Sequence, residues 1–294
     1  MYGDLGRPPL DARGLRRSLA GSADAPWSGL EVVEQTGSTN EDLLARIARD
    51  PRPESLDRTV LIAEQQVAGR GRRRRSFACA PQSQVLMSVV LRLPGVPPER
   101  LGWLPLLTGV AVADALRSVA EVDAELKWPN DVLIGDRKAA GILAEVASPP
   151  QRPGGGTAYV PMVVVGVGLN VSQSADELPV PTATSLAVEG AACTDRNTLV
   201  RSMLRGLATR VHRWQGQRGG SDALTEDYLR YCSTVGREVK AALPGGGEHR
   251  GRATGVDARG CLLIEVDAPG AGADRTVALA AGDVEHVRPA PAGR

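Results

Sequence analysis

The sequence predicts an α+β fold in two parts, a large part of mixed strands and helices followed by a small all-β part. Between residues 28 and 232, β-branched runs of strand length occur together with stretches in which apolar residues have helical spacing. From residue 233 to residue 289, short strand-like runs are separated by glycine-rich turns, as in a small β-barrel. The length of 294 residues, with 42% hydrophobic and 23% charged residues, fits two globular domains.

Composition argues against several classes of function. The apolar stretch at residues 161–171 is interrupted by glycines and is shorter than the ~20 residues of a membrane-spanning helix. The N terminus lacks the features of a secretion signal, so we expect a cytoplasmic protein. Thirty-five basic and 34 acidic residues give a net charge of +1, which provides no general attraction to DNA or membranes. Four cysteines without a CxxC pair and three scattered histidines argue against a zinc site or a disulfide framework.

The first 27 residues are predicted to be an N-terminal extension with one short helix over residues 11–20, which is too little for a helix-turn-helix DNA-binding domain. After a predicted strand, the chain continues as TGSTN at residues 36–40, followed by two acidic residues and by apolar residues at helical spacing. This pattern predicts a helix start, where backbone N–H groups are exposed beside the hydroxyls of Ser38 and Thr39.

The remaining elements follow from the same rules of spacing. Runs of β-branched residues predict strands, apolar residues three and four apart predict helices, and Gly135-Asp136 predicts the turn of a hairpin. In the large part, we expect strands at 30–35, 59–63, 84–93 and 159–171, a hairpin over 132–145, and helices at 104–119, 198–214 and 223–231. In the small part, we expect strands at 239–243, 251–256, 261–266, 276–279 and 284–287.

An arginine-rich loop, residues 64–77, joins two of the predicted strands. Glycines at 69 and 71 allow its backbone to approach a ligand closely. Its guanidinium groups are bidentate donors that suit phosphate or carboxylate, and they belong to Arg70, Arg72, Arg73 and Arg75. A solvated basic patch or a nucleic-acid contact has the same composition, so the loop alone leaves these alternatives open.

A second group of polar residues surrounds the predicted hairpin. We expect a strand through Trp128 to place the amide of Asn130 and the carboxylate of Asp131 at its end, and the returning strand to bring Lys138 toward them. Lysine is rare in this chain, since only three of the 35 basic residues are lysines and two lie in this segment. An acid, an amide and a cation near an arginine loop suit an adenylating site that handles phosphates and Mg²⁺. Ordinary packing of Trp128 and an ordinary turn at Asn130 remain alternatives.

A third segment, GVGLN at residues 166–170, follows an apolar strand. It lacks the complete G-x-G-x-x-G pattern and no clear helix follows it, which argues against a dinucleotide-binding fold. Asn170 is then a polar side chain at a strand end, and both a turn role and a ligand role are compatible with the sequence.

Four of these segments, taken together and in order, resemble the biotin protein ligases. They are GSTN at 37–40, EQQVAGRGRRRRSF at 64–77, KWPNDVLIGDRKAAGIL at 127–143 and GVGLNV at 166–171. The resemblance runs from about Trp27 to the C terminus, and its most specific motif is KWPND with RKxAGIL. It implies a catalytic domain over 28–232 with a mixed sheet and flanking helices, related to class II aminoacyl-tRNA synthetases. It also implies a C-terminal SH3-like barrel over 233–289.

The resemblance also implies an activity and a set of site residues. Enzymes of this family join biotin to ATP, giving biotinoyl-5′-AMP and pyrophosphate, and then pass biotin to a lysine of the biotin carboxyl carrier domain of acyl-CoA or pyruvate carboxylases. The implied biotin contacts are Ser38, Thr39, Asn40, Gln66, Arg70, Gly71, Arg72, Lys138 and Gly141. The implied ATP and adenylate contacts are Arg70, Arg72, Arg73, Arg75, Trp128, Asn130, Asp131, Lys138 and Asn170. Lys138 and Arg72 are the implied catalytic residues, and Asp131 is the implied ligand of Mg²⁺.

Three departures from the family pattern bear on these expectations. Arg74 stands where members usually have glycine, and Phe77 where they usually have tryptophan, so the loop around Arg73–Arg75 is expected to differ in geometry. The N terminus lacks the DNA-binding domain of bifunctional members, which predicts a monomeric ligase without DNA or membrane partners. A lipoate or octanoyl ligase would lack the KWPND and GRGRR motifs, and a dedicated nucleic-acid-binding protein would usually carry a basic domain.

Overall fold

Each predicted helix and strand has a counterpart in the structure, a computed structural model that describes residues 6–22, 24–69, 80–148, 160–220, 222–243, 247–266, 275–280 and 283–286. The large part consists in order of α1 (Ala12–Leu19), β1 (Gly29–Thr36), α2 (Thr39–Arg49), β2 (Thr59–Gln66), β3 (Gln84–Arg92), α3 (Trp103–Ala115), β4 (Ala124–Lys127), β5 (Asp131–Ile134), β6 (Arg137–Val146), β7 (Met162–Asn170), α4 (Arg196–Gly216) and α5 (Asp222–Tyr231). The small part consists of β8 (Glu238–Ala242), β9 (Glu248–Val256), β10 (Leu262–Val266), β11 (Arg275–Leu279) and β12 (Asp283–His286).

The strands of the large part form one sheet in the order β1-β2-β3-β7-β6-β5-β4. β1 pairs with β2 in parallel, whereas the other neighbouring strands pair antiparallel. The mixed sheet with flanking helices predicted from the sequence is therefore confirmed. β3 and β7 lie at its centre and are apolar on both faces, as expected for strands that are covered on both sides.

Different helices cover the two faces of this sheet. α1, α3 and α4 pack on one face and share the main hydrophobic core with strand residues such as Ile62 and Val89. On the other face, Leu43 and Ile47 of α2 pack on strand residues such as Val90 in a smaller cluster. In the part of the chain that the structure describes, α2 is the α-helix that packs on this second face.

Helix α3 lies inside the molecule. The helical stretch Pro98–Ala120 has the length and hydropathy that a membrane span requires. Within its most apolar window, however, 72% of the residues are buried in the fold. α3 packs against α4, α5 and β6, and a central core helix of this kind is apolar on all sides.

The N-terminal extension packs as part of the large domain. Leu15 and Leu19 of α1 are fully buried in the main core. Ahead of α1, the guanidinium of Arg7 binds the Glu177 carboxylate and the carbonyl oxygen of Ser172. The bond from Arg7 lowers the pKa of Glu177 to about 2. The described residues before Trp27 thus pack as part of the large domain.

The small part is an antiparallel sheet with the strand order β11-β10-β9-β8-β12, consistent with the predicted SH3-like barrel. It packs closely on the large part at the start of α3. A Cβ atom at Gly102 would lie 2.4 Å from the carbonyl oxygen of Arg259, so no larger residue fits at this position without a shift. The barrel is therefore in direct backbone contact with the large part.

Candidate active site

A trough crosses the sheet on the face that carries α2. Its floor consists of three partly exposed glycines, Gly166 and Gly168 on β7 and Gly141 on β6. Gly168 pairs with Gly141, and Gly166 pairs with Ser88 of β3. Since paired residues in an antiparallel sheet point to the same face and glycine has no side chain, the floor is bare backbone. We call this region the glycine trough.

Helix α2 begins at one end of the glycine trough. Ser38 precedes the helix in an extended conformation, and its hydroxyl makes no capping bond with the first turn. Ser38, Thr39 and Asn40 are all more than nine-tenths buried. Asn40 lies directly against the floor, because a Cβ atom at Gly166 would be 2.3 Å from Asn40 Oδ1. The helix start predicted from the sequence is confirmed, and it presents N–H groups and hydroxyls to the trough.

A hydrogen-bond network holds these residues in place. The backbone N–H and the hydroxyl of Thr39 both reach Gln66 Oε1, at 2.7 and 3.0 Å. The Thr39 hydroxyl also contacts Ser88 Oγ at 2.6 Å, and Ser88 Oγ donates to Asn40 Oδ1 at 2.6 Å. Asn40 Nδ2 donates to Glu145 Oε2 at 2.7 Å. The structure thus brings the predicted Thr39, Asn40 and Gln66 together.

Ser88 and Glu145 were not predicted as site residues. Ser88 is fully buried, and it is the polar exception inside the apolar run QVLMSVVL of β3. A lone serine in such a run is a signal that could have been used, since a buried hydroxyl needs a hydrogen-bond partner. Glu145 ends the run RKAAGILAE, and the sequence gives no indication that its partner would be an asparagine more than 100 residues earlier.

Lys138 and Asp131 lie at the other end of the glycine trough. Lys138 Nζ is 2.5 Å from Asp131 Oδ1, and the two side chains are 40% and 27% exposed. Asp131 pairs with Gly141 across β5 and β6. A Cβ atom at Gly141 would lie 3.1 Å from Lys138 Nζ, so the ammonium group extends over the floor. The expected approach of Lys138 to Asp131 is present in the structure.

The chain between β4 and β5 differs from the expectation of a continuous strand. Lys127 pairs with Asp131, and the three residues between them form a turn. The physical reason is that Pro129 has no N–H to give to a strand ladder, so the chain reverses there. Asn130 fixes this turn against β6, because its Nδ2 donates to the Ile142 carbonyl oxygen at 2.8 Å and its own carbonyl oxygen accepts the Ile142 N–H at 2.9 Å.

Trp128 has a packing role, which is the alternative that the sequence left open. Its side chain is 1% exposed, and its indole Nε1 donates to the carbonyl oxygen of Gly260 in the barrel at 3.0 Å. Its backbone N–H donates to Thr234 Oγ1 at 3.0 Å. In the structure, Trp128 joins the turn that carries Asn130 and Asp131 to the barrel. Its implied contact with the adenylate stays a prediction.

A histidine of β12 continues this contact between the domains. His286 Nε2 is 3.1 Å from Thr234 Oγ1, and Arg237 Nη1 is 3.4 Å from His286 Nδ1. Burial, together with the positive charges of Lys127 and Arg237, lowers the pKa of His286 to about 4. The imidazole is therefore neutral at pH 7, with Nδ1 facing a cation and Nε2 free to donate to Thr234.

Asn170 also has hydrogen-bond partners within the fold. It is 4% exposed, and its Nδ2 donates to the carbonyl oxygen of Thr184 at 2.8 Å. Its Oδ1 accepts from Gln84 Nε2 and Gln173 Nε2, at 2.7 and 3.0 Å. Thr184 in turn donates its backbone N–H to the carbonyl oxygen of Lys138. Asn170 thus supports the segment beside Lys138, and its predicted nucleotide contact stays a prediction.

The arginine-rich loop is described only over residues 64–69. Its first residues leave from beside α2, where Ala68 N–H donates to the carbonyl oxygen of Gly37 at 3.0 Å. Five residues with predicted ligand contacts lie outside the described residues: Arg70, Gly71, Arg72, Arg73 and Arg75. Their contacts stay predictions. Positions 74 and 77, where the sequence departs from the family pattern, lie there as well.

Comparison with known proteins decides the family. Residues 32–170 match the model of the biotin/lipoate A/B protein ligase family, and residues 234–287 match the biotin protein ligase C terminal domain. The chain is 44% identical over 285 residues to the biotin–(acetyl-CoA-carboxylase) ligase of Mycobacterium tuberculosis, covering 96% of this chain and 97% of that protein. The chain belongs to the biotin protein ligase family.

More distant members of the biotin protein ligase family agree with this assignment. The bifunctional ligase/repressor BirA of Escherichia coli is 31% identical over 259 residues, covering 88% of this chain and 74% of that protein. Among solved structures, the biotin protein ligase of Aquifex aeolicus in complex with biotin and ATP has a TM-score of 0.70 at 23% identity, covering 89% of this chain and 100% of that one. The enzyme of Leishmania major in complex with biotinyl-5-AMP has a TM-score of 0.55 at 19% identity, covering 86% of this chain and 99% of that one. These structures share the fold.

The acidic residues of this biotin protein ligase bear on magnesium. Among the described residues, no three His, Cys, Asp or Glu side chains lie close enough together to hold a metal ion. Asp131 is a single carboxylate at the trough, and it is paired with Lys138. One carboxylate together with substrate phosphates is a usual environment for Mg²⁺. The donor set therefore fits an ion that arrives with ATP better than a resident metal.

Proposed function

We propose that the glycine trough is the active site of an ATP-dependent biotin protein ligase. The observation that carries this proposal is the position of Lys138, whose ammonium group extends over the bare floor at the end opposite the α2 N terminus. Polar groups at one end and a cation at the other suit a molecule with a polar head, an apolar body and a carboxylate tail. The family and the 44% identity to a named biotin ligase support the same reaction.

In the first step, the head of biotin binds beside Ser38 and Thr39, and its carboxylate reaches Lys138. A carboxylate oxygen attacks the α-phosphorus of ATP, and the bond to the bridging oxygen breaks, so that pyrophosphate leaves with the electron pair. The two reactants are both anions and repel each other. Lys138 lies where a single positive charge can contact both, and it lowers the barrier by stabilising the charge that gathers at the α-phosphate.

Asp131 keeps Lys138 ready for this role. Their ion pair holds the ammonium group over the floor before substrates bind. The carboxylate of Asp131 would be the protein ligand of Mg²⁺ once ATP is bound, and the ion would draw charge toward the leaving pyrophosphate. Arg72 and its neighbours in the arginine-rich loop remain the residues that we expect to contact the phosphates.

In the second step, the amine of a lysine on the carrier domain attacks the acyl carbon of biotinoyl-5′-AMP. An amide bond forms, the bond between the acyl carbon and the phosphate oxygen breaks, AMP leaves, and the amine gives a proton to solvent. We propose the biotin carboxyl carrier domain of an acyl-CoA carboxylase as the acceptor, because the M. tuberculosis relative is named for acetyl-CoA carboxylase. A cytoplasmic, monomeric enzyme without a DNA partner remains our expectation.

A labelling assay tests the proposed function. The protein is mixed with ATP, Mg²⁺, biotin and a carrier domain, and the products are blotted with streptavidin. We expect signal on the carrier that is lost without ATP and lost when the acceptor lysine is replaced by arginine. Octanoate and lipoate, offered in place of biotin and followed by mass spectrometry, should give no adduct. An adduct with these acids and none with biotin would favour the lipoate-ligase alternative.

Gly166→Ala should weaken biotin binding. The new Cβ atom would lie 2.3 Å from Asn40 Oδ1, so the buried amide must move and lose its bond from Ser88. Because a buried polar group left without a partner is costly, we expect the Kd for biotin to rise about 10-fold or more. Calorimetric titration with biotin in the absence of ATP measures this change.

Gly29→Ala is the matched control, since a Cβ atom at this strand glycine meets nothing within 4 Å. It should bind biotin like the wild-type protein. Equal biotin affinity in Gly166→Ala and Gly29→Ala would contradict the position of the biotin head beside Asn40.

A further inference from the structure

The hydrogen bonds beside the glycine trough run in one direction, and Asn40 sets that direction. Its Nδ2 donates to Glu145 Oε2 at 2.7 Å and to the carbonyl oxygen of Leu143 at 3.2 Å. Both of these partners are acceptors, and the carboxylate is the nearer one, so the NH₂ group of Asn40 lies on this side. Its Oδ1 then faces Ser88 and can only accept from it. The amide of Asn40 therefore has a single orientation.

The orientation of Asn40 determines how Ser88 and Thr39 bond to each other. Ser88 has one proton and gives it to Asn40 Oδ1, so it can only accept from Thr39. The other neighbour of the Thr39 hydroxyl is Gln66 Oε1 at 3.0 Å, which also accepts the Thr39 backbone N–H. The hydroxyl proton of Thr39 therefore goes either to Ser88 Oγ or to Gln66 Oε1, and both belong to this network. Thr39 Oγ1 thus has only lone pairs left for a ligand in the trough.

We propose that Glu145 is a positioning residue that determines specificity in the biotin site. It acts through Asn40 and Ser88: its bond to Asn40 Nδ2 holds Asn40 Oδ1 toward Ser88, so that Ser88 donates away from Thr39 and the Thr39 hydroxyl keeps its lone pairs for a ligand N–H. The cyclic urea of biotin carries such N–H groups, whereas the acyl chains of lipoate and octanoate carry none. This inference rests on the proposed function and adds to it the residue that selects a urea head over a plain acyl chain.

Two features distinguish Glu145 from the other acceptor in this network. Its contact with Asn40 Nδ2 is 0.5 Å shorter than that of the Leu143 carbonyl, from the distances of 2.7 and 3.2 Å. A carboxylate is also a stronger acceptor than a neutral carbonyl. Since Asn40 is 5% exposed, water does not readily replace this bond. Removal of Glu145 therefore loosens the orientation of Asn40 without removing any group proposed to touch the ligand.

A double-mutant cycle between Glu145→Ala and Thr39→Val tests the proposal. Biotin affinity is measured by calorimetry without ATP, and the Kd for ATP and the Tm are measured on the same samples. We expect Glu145→Ala to raise the Kd for biotin about 3- to 10-fold, the range of one hydrogen bond, to leave the Kd for ATP unchanged and to lower the Tm by no more than a few degrees. In the Thr39→Val background, the same change should raise the Kd less than about 2-fold, because the hydroxyl that Glu145 orients is gone.

Conservative and control variants complete the test. Glu145→Gln keeps an acceptor oxygen and should restore the biotin affinity of the wild-type protein to within about 2-fold. Glu265→Ala removes a half-buried glutamate of β10 in the barrel and should change nothing. Ser88→Ala replaces Thr39→Val in the cycle if the latter does not fold.

Two results would overturn the proposal. One is wild-type biotin affinity in Glu145→Ala, and the other is a loss that adds fully to the loss in Thr39→Val. A fall in Tm with equal losses for biotin and ATP would likewise assign Glu145 a purely structural role. If the wild-type protein itself fails to bind biotin, the proposed function fails and this inference fails with it. Binding by the wild-type protein without an effect of Glu145→Ala removes the inference alone.

Discussion

Lys138→Ala is expected to reduce the biotin-dependent exchange of pyrophosphate into ATP by about 100- to 1000-fold, the cost of removing one preorganised charge from a polar transition state. The ammonium group is the positive charge that the structure places over the trough floor, beside Asp131 and against Gly141. Since its side chain is 40% exposed, its removal should leave the fold intact. Exchange of radiolabelled pyrophosphate measures the first step without a carrier domain.

Lys240→Ala is a matched control for this prediction. Lys240 also forms an ion pair, with Glu248 at 2.9 Å, and its side chain is 39% exposed, but it lies on β8 of the barrel. This variant should retain full exchange activity. Lys138→Arg should remain impaired, because a planar guanidinium does not replace a compact ammonium between two substrates. Undiminished exchange in a folded Lys138→Ala protein would remove Lys138 from the mechanism.

Arg196→Met is expected to lower the free energy of unfolding by about 3–5 kcal/mol, the cost of leaving one member of a buried ion pair without its partner. Arg196 Nη1 is 2.6 Å from Glu64 Oε2, and the two side chains are only 6% and 9% exposed. Arg196 also donates to the carbonyl oxygen of Pro8, and Glu64 accepts the backbone N–H of Leu10. The pair thus fastens the N-terminal segment to β2 and α4. Denaturation in guanidinium chloride measures the change.

Two comparisons make this expectation specific. Arg196→Met combined with Glu64→Gln should recover part of the loss, because no charge then remains buried. Arg46→Met breaks the exposed pair with Glu31, whose side chains are 39% and 45% exposed, and should cost less than about 1 kcal/mol. Equal destabilisation by Arg196→Met and Arg46→Met would show that the buried pair contributes no more than a surface pair.

The elements of the fold were predictable because each depends on residues close together in the chain. The β-branched run of β2 and the helical spacing after Ser38 are local signals, and both elements begin within two residues of the expected position. The neighbours of a strand are set by contacts between distant residues. Nothing in the sequence indicates that β7 inserts beside β3, yet this pairing places Gly166 next to Ser88.

The candidate site was predictable where its residues lie in one motif. Lys138 and Asp131 are seven positions apart on a hairpin, and the turn chemistry between them is readable from the sequence. The packing partners of Asn170 and Trp128 were not predictable, because the same side chains serve as ligands or as packing residues according to partners far away in the chain. The role of Glu145 could not be predicted from the sequence, since it depends on an asparagine 105 positions earlier.

The two N–H groups that Trp128 donates to Thr234 and Gly260 restrict how the enzyme can move. A hinge opening between the domains would break both bonds, at about 0.5–1.5 kcal/mol each once water replaces the partners. The barrel thereby restrains the Asn130–Asp131 corner beside the trough, and we expect the large part and the barrel to move as one body.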